Sequence, residues 1–128
     1  MSGGATQHKV ERNKITLQRS RVEGVFSIEY DGEYVGSGQL LTTDKTYHER
    51  PEQYPKQCVR LVNFNIVEDF RNSGLGTDLL QYIIEIAKLI DIGVICLTAS
   101  HESASFFKRF GFVSEHNDEE FVLELKDH

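Results

Sequence analysis

The stretch Arg71-Asn72-Ser73-Gly74-Leu75-Gly76 lies between an apolar run, VRLVNFNIV, and a leucine- and isoleucine-rich stretch with the period of a helix. Glycine costs about 1 kcal/mol against alanine inside a helix, so a pair of them where a helix must begin needs a reason. A strand that enters a glycine-rich turn and then a helix leaves N–H groups unpaired at the helix N-terminus, where the macrodipole also favours an anion. Gly74 and Gly76 would let the backbone approach phosphate oxygens with no Cβ in the way, and Arg71 would supply a bidentate charge partner. The same spacing serves a tight strand-to-helix turn equally well, so the surrounding order of elements has to separate the two readings.

That order can be read from the punctuation of the chain. Residues 1–14 are polar and glycine-containing and read as a frayed tail, leaving 15–128 as a single domain. Lys14 to Arg19 reads as a short first strand. Phe26, Ile28 and Tyr30 alternate with polar residues up to Asp31-Gly32, and a further β-like run reaches Leu41, which is the pattern of a hairpin. Asp44 to Lys56, with Pro51 and Pro55, reads as a long loop before a strand from Cys58 to Val67. Gly74 to Leu89 carries Leu75, Leu79, Ile83, Ile86 and, just beyond, Ile90 at helical spacing. Gly93 to Ala99 is almost wholly apolar, as in a strand buried on both faces. Glu102 to Phe110 reads as a short helix stopped by Gly111, and a last hairpin closes the chain, giving the order ββββαβαββ.

Composition bounds the function. The formal charge of -6, with no cluster of Lys and Arg, weighs against nucleic acid and favours an amine-bearing partner. No apolar run is long and uncharged enough for a membrane span, and the N-terminus lacks the apolar region of a secretory signal. Cys58 and Cys96, the only cysteines, sit in apolar runs and fit a reducing, cytoplasmic setting. Neither the histidines nor the cysteines show metal-ligand spacing, so no metal is expected.

A Walker A loop needs Lys and Ser or Thr after its last glycine; here Thr77-Asp78 follows Gly76, and the dinucleotide motif G-x-G-x-x-G is absent. At these residues the chain resembles the GNAT superfamily of acetyl-CoA-dependent N-acetyltransferases. Its signature Q/R-x-x-G-x-G/A falls on Arg71 to Gly76, and its downstream motif on SHESASFFKRFGF, Ser100 to Phe112, in register. The resemblance implies an α/β (α+β) fold: a mixed, mainly antiparallel sheet flanked by helices, with strands four and five parallel and splayed apart near Asn65.

It also implies roles. The N–H groups from Asn72 through Ser73, Gly74, Leu75 and Gly76 to Thr77 would hold the pyrophosphate of acetyl-CoA beside Arg71, with Leu75 turned into the core. Phe64, Asn65 and Ile66 would offer a strand edge to the pantetheine arm, and the Ile66 N–H would polarise the thioester carbonyl. Phe64 and Ile66 read as core residues too. Ser100 stands where the family often has an asparagine that touches the pantetheine, and Phe107 where it often has the tyrosine that protonates the leaving thiolate. Arg60 occupies the place of a glutamate base found in some members.

Proton chemistry is thinly provided. Glu68 and Asp69 could take a proton from an ammonium through a water, although acidic residues before a helix also answer its dipole. His48 and His101 have the intrinsic pKa for the task and read equally as surface histidines. Between Leu17 and Val25 there is no room for the two helices that usually shape the family's acceptor pocket. Tyr47, Glu49, Glu52 and Tyr54 in the long loop would replace them with aromatic faces and carboxylates for a cationic amine, or else form a solvated connector. Two functions follow: an N-acetyltransferase acting on a primary amine of a small molecule or an exposed protein amine, or a non-catalytic acyl-CoA-binding module that regulates a partner protein. The sequence leaves the oligomeric state open, a homodimer among the alternatives.

Overall fold

The computed structural model describes residues 10–20, 24–47, 56–115 and 117–125. Seven strands, β1 (Ile15–Arg19), β2 (Val25–Tyr30), β3 (Glu33–Tyr47), β4 (Lys56–Ile66), β5 (Ile92–Thr98), β6 (Val113–Glu115) and β7 (Asn117–Glu124), are joined by two helices, α1 (Leu75–Leu89) and α2 (His101–Lys108). They form one mixed, mainly antiparallel sheet in the order β1-β2-β3-β4-β5-β7-β6. The parallel pair is β4 with β5, as it must be where a helix returns the chain to the same end of the sheet. The expected order of elements and the fold class are both found. The chain gathers into two compact units, one running up to Gln39 together with Asn63–Glu85, the other Leu40–Val62 together with Ile86 onward.

In the first unit Asp31 and Gly32, with φ 52 and 85°, turn β2 into β3. Positive φ at both central residues is the twist-matched hairpin turn that Asp-Gly favours. The hairpin buries Phe26, Ile28 and Val35. Leu75, Leu79, Leu80 and Ile83 of α1 are fully buried, and Tyr82 meets the Phe26 ring edge-on at 5.9 Å. The helical stripe differs at its end from the sequence reading: Ile86 is half-buried, Ala87 is buried, and Ile90 lies exposed beyond the helix.

The part of the expected N-terminal tail from Met1 to Lys9 lies outside the described residues. Arg12–Lys14 form a 3₁₀ turn, and the Glu11 N–H donates to the Tyr30 hydroxyl at 3.0 Å. Strand β3 is longer than expected, continuing through Asp44–Tyr47, which the sequence assigned to a loop.

In the second unit β5 is buried along almost its whole length, as its apolar run requires. Its ladder with β4 runs from Gln57 to Arg60, paired with Ile92 to Cys96, and stops there. The sequence placed this parting near Asn65; it comes five residues earlier. Within β4, Asn63 adopts φ 54°, and one left-handed residue re-aims a strand. Helix α2 starts from Ser100, whose hydroxyl accepts from the Ser103 N–H, and ends before Gly111 at φ 99°. No helix among the described residues is long and apolar enough to cross a membrane.

Candidate functional site

Between β4 and α1 the chain makes a 3₁₀ turn, Glu68–Phe70, and then passes through two left-handed residues, Asn72 at φ 64° and Gly74 at φ 89°. Positive-φ residues in a tight turn can aim nearby N–H groups toward one concavity, as anion-binding nests do. The Asp78 N–H bonds the Gly74 carbonyl at 3.1 Å, so the N–H groups of Leu75, Gly76 and Thr77 precede the helical ladder and remain to be satisfied. A Cβ built on Gly74 meets nothing within 4 Å. The open side of the turn can therefore admit a ligand atom, and its φ is one that only glycine holds without strain. Leu75 is fully buried and anchors the turn from below.

Side chains brace this cradle from behind. Arg71 donates through Nε to the Ile66 carbonyl at 2.9 Å and through Nη2 to Asn65 Oδ1 at 3.3 Å. Arg71 is thus first a tether between the cradle and the end of β4. Among the described residues its Nη1 has no partner, and the side chain is exposed. The Ser73 hydroxyl donates to the Phe70 carbonyl and closes the preceding turn. Phe64 is half-buried, Asn65 exposed and Ile66 buried. The first unit therefore gathers Phe64, Asn65, Ile66 and Arg71 to Thr77 into one place.

Two contributors escaped the sequence reading. A Cβ on Gly36 of β3 would lie 2.5 Å from Ile66 Cδ1 and 2.8 Å from the Asn65 carbonyl oxygen. Only glycine lets β3 press so closely against the end of β4. An isolated glycine inside a strand pattern is the signal that could have found it. Arg12 forms a bidentate pair with Asp78 in the first turn of α1. Nothing in a polar N-terminal run announces that partner.

Of the candidate proton carriers, Glu68 is exposed in the 3₁₀ turn, and its carbonyl accepts from the Arg71 N–H at 3.2 Å. Asp69 shares that turn. His101, at the first position of α2, is exposed. His48, Glu49, Glu52 and Tyr54 lie outside the described residues, and Tyr47 ends β3. Among the described residues no group of three or more His, Cys, Asp or Glu is placed to hold a metal ion.

The downstream motif lies in the second unit. The Ser100 hydroxyl is engaged at the start of α2, accepting from the Ser103 N–H at 3.3 Å and standing 3.2 Å from the Ser103 hydroxyl. Phe107 is buried, with its ring 5.1 Å from Phe106 and 5.8 Å from Phe112. The same unit joins Arg60 to Thr98 at 3.1 Å and to both carboxylate oxygens of Glu120 at 3.4 Å. Glu120 was not singled out in the sequence, since a partner 60 residues away leaves no local mark.

Residues 4–112 match the family model described as Acetyltransferase (GNAT) family. No curated protein sequence matches the chain at a significant level. Among solved structures the chain is similar to N-acetylglutamate synthase from Neisseria gonorrhoeae complexed with coenzyme A and L-arginine. That likeness has a TM-score of 0.62 and 21% identity, and covers 91% of this chain and 29% of that one. It is also similar to glucosamine-6-phosphate N-acetyltransferase from Arabidopsis thaliana (TM-score 0.61, 16% identity, 73% of this chain and 62% of that one). A third is the Bacillus subtilis N-acetyltransferase YlbP in complex with coenzyme A (0.58, 16%, 79% and 67%). The chain thus spans less than a third of the synthase's length. At these identities the likenesses establish the fold.

Proposed function

The chain belongs to the GNAT acetyltransferase family, and from that premise we propose that it transfers an acetyl group from acetyl-CoA to a primary amine of a small molecule or an exposed protein amine. The observation that carries this reading is the nest from Asn72 to Thr77, with left-handed Asn72 and Gly74 and open space beside Gly74. Those residues fit a pyrophosphate: first-turn N–H groups, a favourable helix dipole and an exposed arginine with donors to spare. Coenzyme A complexes among the similar structures support the same ligand.

In this reading the N–H groups from Asn72 to Thr77 hold the pyrophosphate, and Arg71 adds charge while fixing the end of β4. Phe64 and Asn65 give the pantetheine arm a strand edge to pair with, and the Ile66 N–H stabilises the oxyanion that forms at the thioester carbonyl. The amine nitrogen forms the new bond to that carbon, the C–S bond breaks, and CoA departs as a thiolate. The ammonium proton passes to Glu68 or to water, and water protonates the thiolate, because Phe107 has no proton to give. Positioning the amine against the carbonyl can by itself supply about 7 to 11 kcal/mol of barrier reduction. The -6 charge supports a cationic acceptor, and two cysteines outside any disulfide, Cys58 and Cys96, suit the cytoplasm.

A second reading, an acyl-CoA-binding module without catalysis, is favoured by one observation: Phe107 is buried among aromatic rings where an acid is often found. Thiol release from acetyl-CoA across polyamines, amino acids, aminoglycosides and peptide N-termini, with Gly74→Glu as the blank, separates the two. Turnover above the blank supports the enzyme. Intact CoA binding with no turnover across the panel leaves the module.

A further inference from the structure

The turn ahead of β1, Glu11 to Lys14, reaches the cradle loop along two separate routes, and every residue concerned lies in the first unit. The Lys14 N–H closes the turn by donating to the Glu11 carbonyl at 3.0 Å, and the Lys14 carbonyl accepts from the Asp31 N–H at 2.9 Å, which ties the turn to the β2–β3 hairpin. The Glu11 N–H donates to the Tyr30 hydroxyl at 3.0 Å. The Tyr30 ring in turn lies 5.5 Å from the Phe70 ring, tilted by 51°. Phe70 immediately precedes Arg71; its N–H donates to the Val67 carbonyl at 2.9 Å, and its carbonyl accepts from the Ser73 hydroxyl. A line of contacts thus runs from Glu11 through Tyr30 and Phe70 to Ser73, next to left-handed Gly74. By the second route Arg12 holds Asp78, whose side chain is only 11% accessible. The turn is therefore fastened to the chain both before and after residues 72–77.

The turn has no apolar hold of its own. None of its four residues is buried, and the exposed Lys14 to Glu11 pair at 2.9 Å lies within the turn and fastens it to nothing else. Segments with few buried apolar contacts open locally at small free-energy cost. The loop it braces has the opposite need. Asn72 holds φ 64° with a side chain in place, and a left-handed residue other than glycine persists where its surroundings fix it. An easily detached element that fixes a strained loop is a two-state device, and a ligand that binds the fixed loop must favour the attached state.

We propose that the Glu11–Lys14 turn is a strap that controls the cradle, and that Tyr30 is the positioning residue through which it acts: with the strap attached, Tyr30 seats Phe70, and Asn72 to Thr77 keep the form that takes the pyrophosphate. Release of the strap, by capture of the segment ahead of β1 or by cleavage at Arg12 or Lys14, lowers the affinity for CoA. Linkage makes the effect reciprocal, so CoA holds the strap down as much as the strap favours CoA. This inference rests on the CoA-binding reading above and adds a means of regulating that site.

The experiment uses the full chain with two substitutions that break the line at different links. Tyr30→Phe removes the hydroxyl that Glu11 reaches and keeps the ring; Phe70→Leu removes the ring contact and keeps the hydroxyl. Arg12 stays intact, because its loss also frees the charge of Asp78. Each variant is expected to raise the Kd for CoA by about two- to fivefold, the scale of one hydrogen bond, in calorimetry well below Tm, where a merely less stable fold leaves Kd unchanged. Without ligand, amide hydrogen exchange at residues 72–77 should quicken by a similar factor while the β6–β7 hairpin stays as it was. In the unsubstituted protein saturating CoA should slow tryptic cleavage after Arg12 and Lys14, and slow it less in Tyr30→Phe. Unchanged exchange at residues 72–77 in Tyr30→Phe, an effect of that variant with none from Phe70→Leu, or cleavage at Arg12 and Lys14 that bound CoA does not slow, overturns the proposal. Failure of the underlying reading looks different: exchange at residues 72–77 still quickens in both variants, but CoA does not bind the unsubstituted protein.

Discussion

Arg12 grips Asp78 with both terminal guanidinium nitrogens, Nη1 to Oδ2 at 2.6 Å and Nη2 to Oδ1 at 2.5 Å, across 66 residues of sequence. Asp78 sits in the first turn of α1, directly after the residues whose N–H groups are proposed to hold the pyrophosphate. A bare carboxylate there would oppose a pyrophosphate; a paired one does not. Arg12→Gln is therefore expected to raise the Kd for CoA by about two- to fivefold at low ionic strength, the scale of a charge near a helix terminus, and less at high salt. Adding Asp78→Asn should restore affinity, because the uncompensated charge is then gone. Calorimetry on the two single variants and the double variant decides it; no rescue in the double variant rules the charge explanation out.

The same pair fixes a pH expectation. The Arg12 guanidinium is held above its ordinary value, first by the hydrogen bond to Asp78 and then by that carboxylate's charge. A pKa raised on folding contributes stability that is fully present below the unfolded value and is lost only as pH rises through the folded one. The loss of stability in Arg12→Gln should accordingly stay constant from about pH 6 to 9, far below where arginine titrates. A penalty that varies across that window means that some other group carries it.

Gly74 separates backbone strain from blocked space. At φ 89°, alanine brings no clash, since nothing lies within 4 Å of its Cβ, but it suffers about 1–2 kcal/mol of left-handed strain. Gly74→Ala should lower Tm by several degrees with CoA binding weakened modestly. Gly74→Glu suffers a similar strain and also places a carboxylate in the cradle, so its binding should nearly vanish. Equal affinities in the two variants would show that phosphate does not bind there.

Gly36 reaches the site through packing alone. A Cβ there meets Ile66 Cδ1 at 2.5 Å and the Asn65 carbonyl oxygen at 2.8 Å. The methyl group can rotate away; the backbone oxygen cannot move without shifting the end of β4. Gly36→Ala is expected to cost about 1–3 kcal/mol, as overpacking does, and to weaken CoA binding in parallel. Ile66→Val in the same background removes only the Cδ1 clash and should recover part of the loss. Denaturant melts and calorimetry on the pair measure both effects.

What the sequence made legible were features encoded by neighbours. Asp31-Gly32 demanded its hairpin, Leu75, Leu79 and Ile83 their helix, and Gly74 and Gly76 a tight strand-to-helix turn, because each signal lies within a few residues. The strand at Asp44–Tyr47 was read as loop, since its polar residues lack the apolar alternation that marks a half-buried strand. The early parting of β4 from β5 was hidden for a similar reason, although Asn63, an asparagine inside an apolar run and a residue type that tolerates left-handed backbone, was a sign of it. Arg12 with Asp78, and Arg60 with Glu120, join residues whose meeting depends on the finished topology. No spacing rule reaches across it.

Phe107 carries the last prediction. Its ring is buried, packed edge-on against Phe106 and Phe112 at interplanar angles of 80° and 75°, so the position is set by aromatic packing and not by contact with water. A hydroxyl added there by Phe107→Tyr must find a partner or cost about 1–3 kcal/mol as an unsatisfied buried group. The substitution should therefore lower Tm while leaving the rate per folded molecule within about twofold, because a thiol of pKa near 8.5 already leaves as the thiolate without help. The rate should rise with pH toward the acceptor amine's own pKa in both proteins, with no falling limb, since no essential acid has to stay protonated. A falling limb in the unsubstituted protein would require an acid supplied from elsewhere in the chain. One that appears only with Phe107→Tyr, accompanied by a faster rate at neutral pH, would mean that the ring faces the departing sulfur after all.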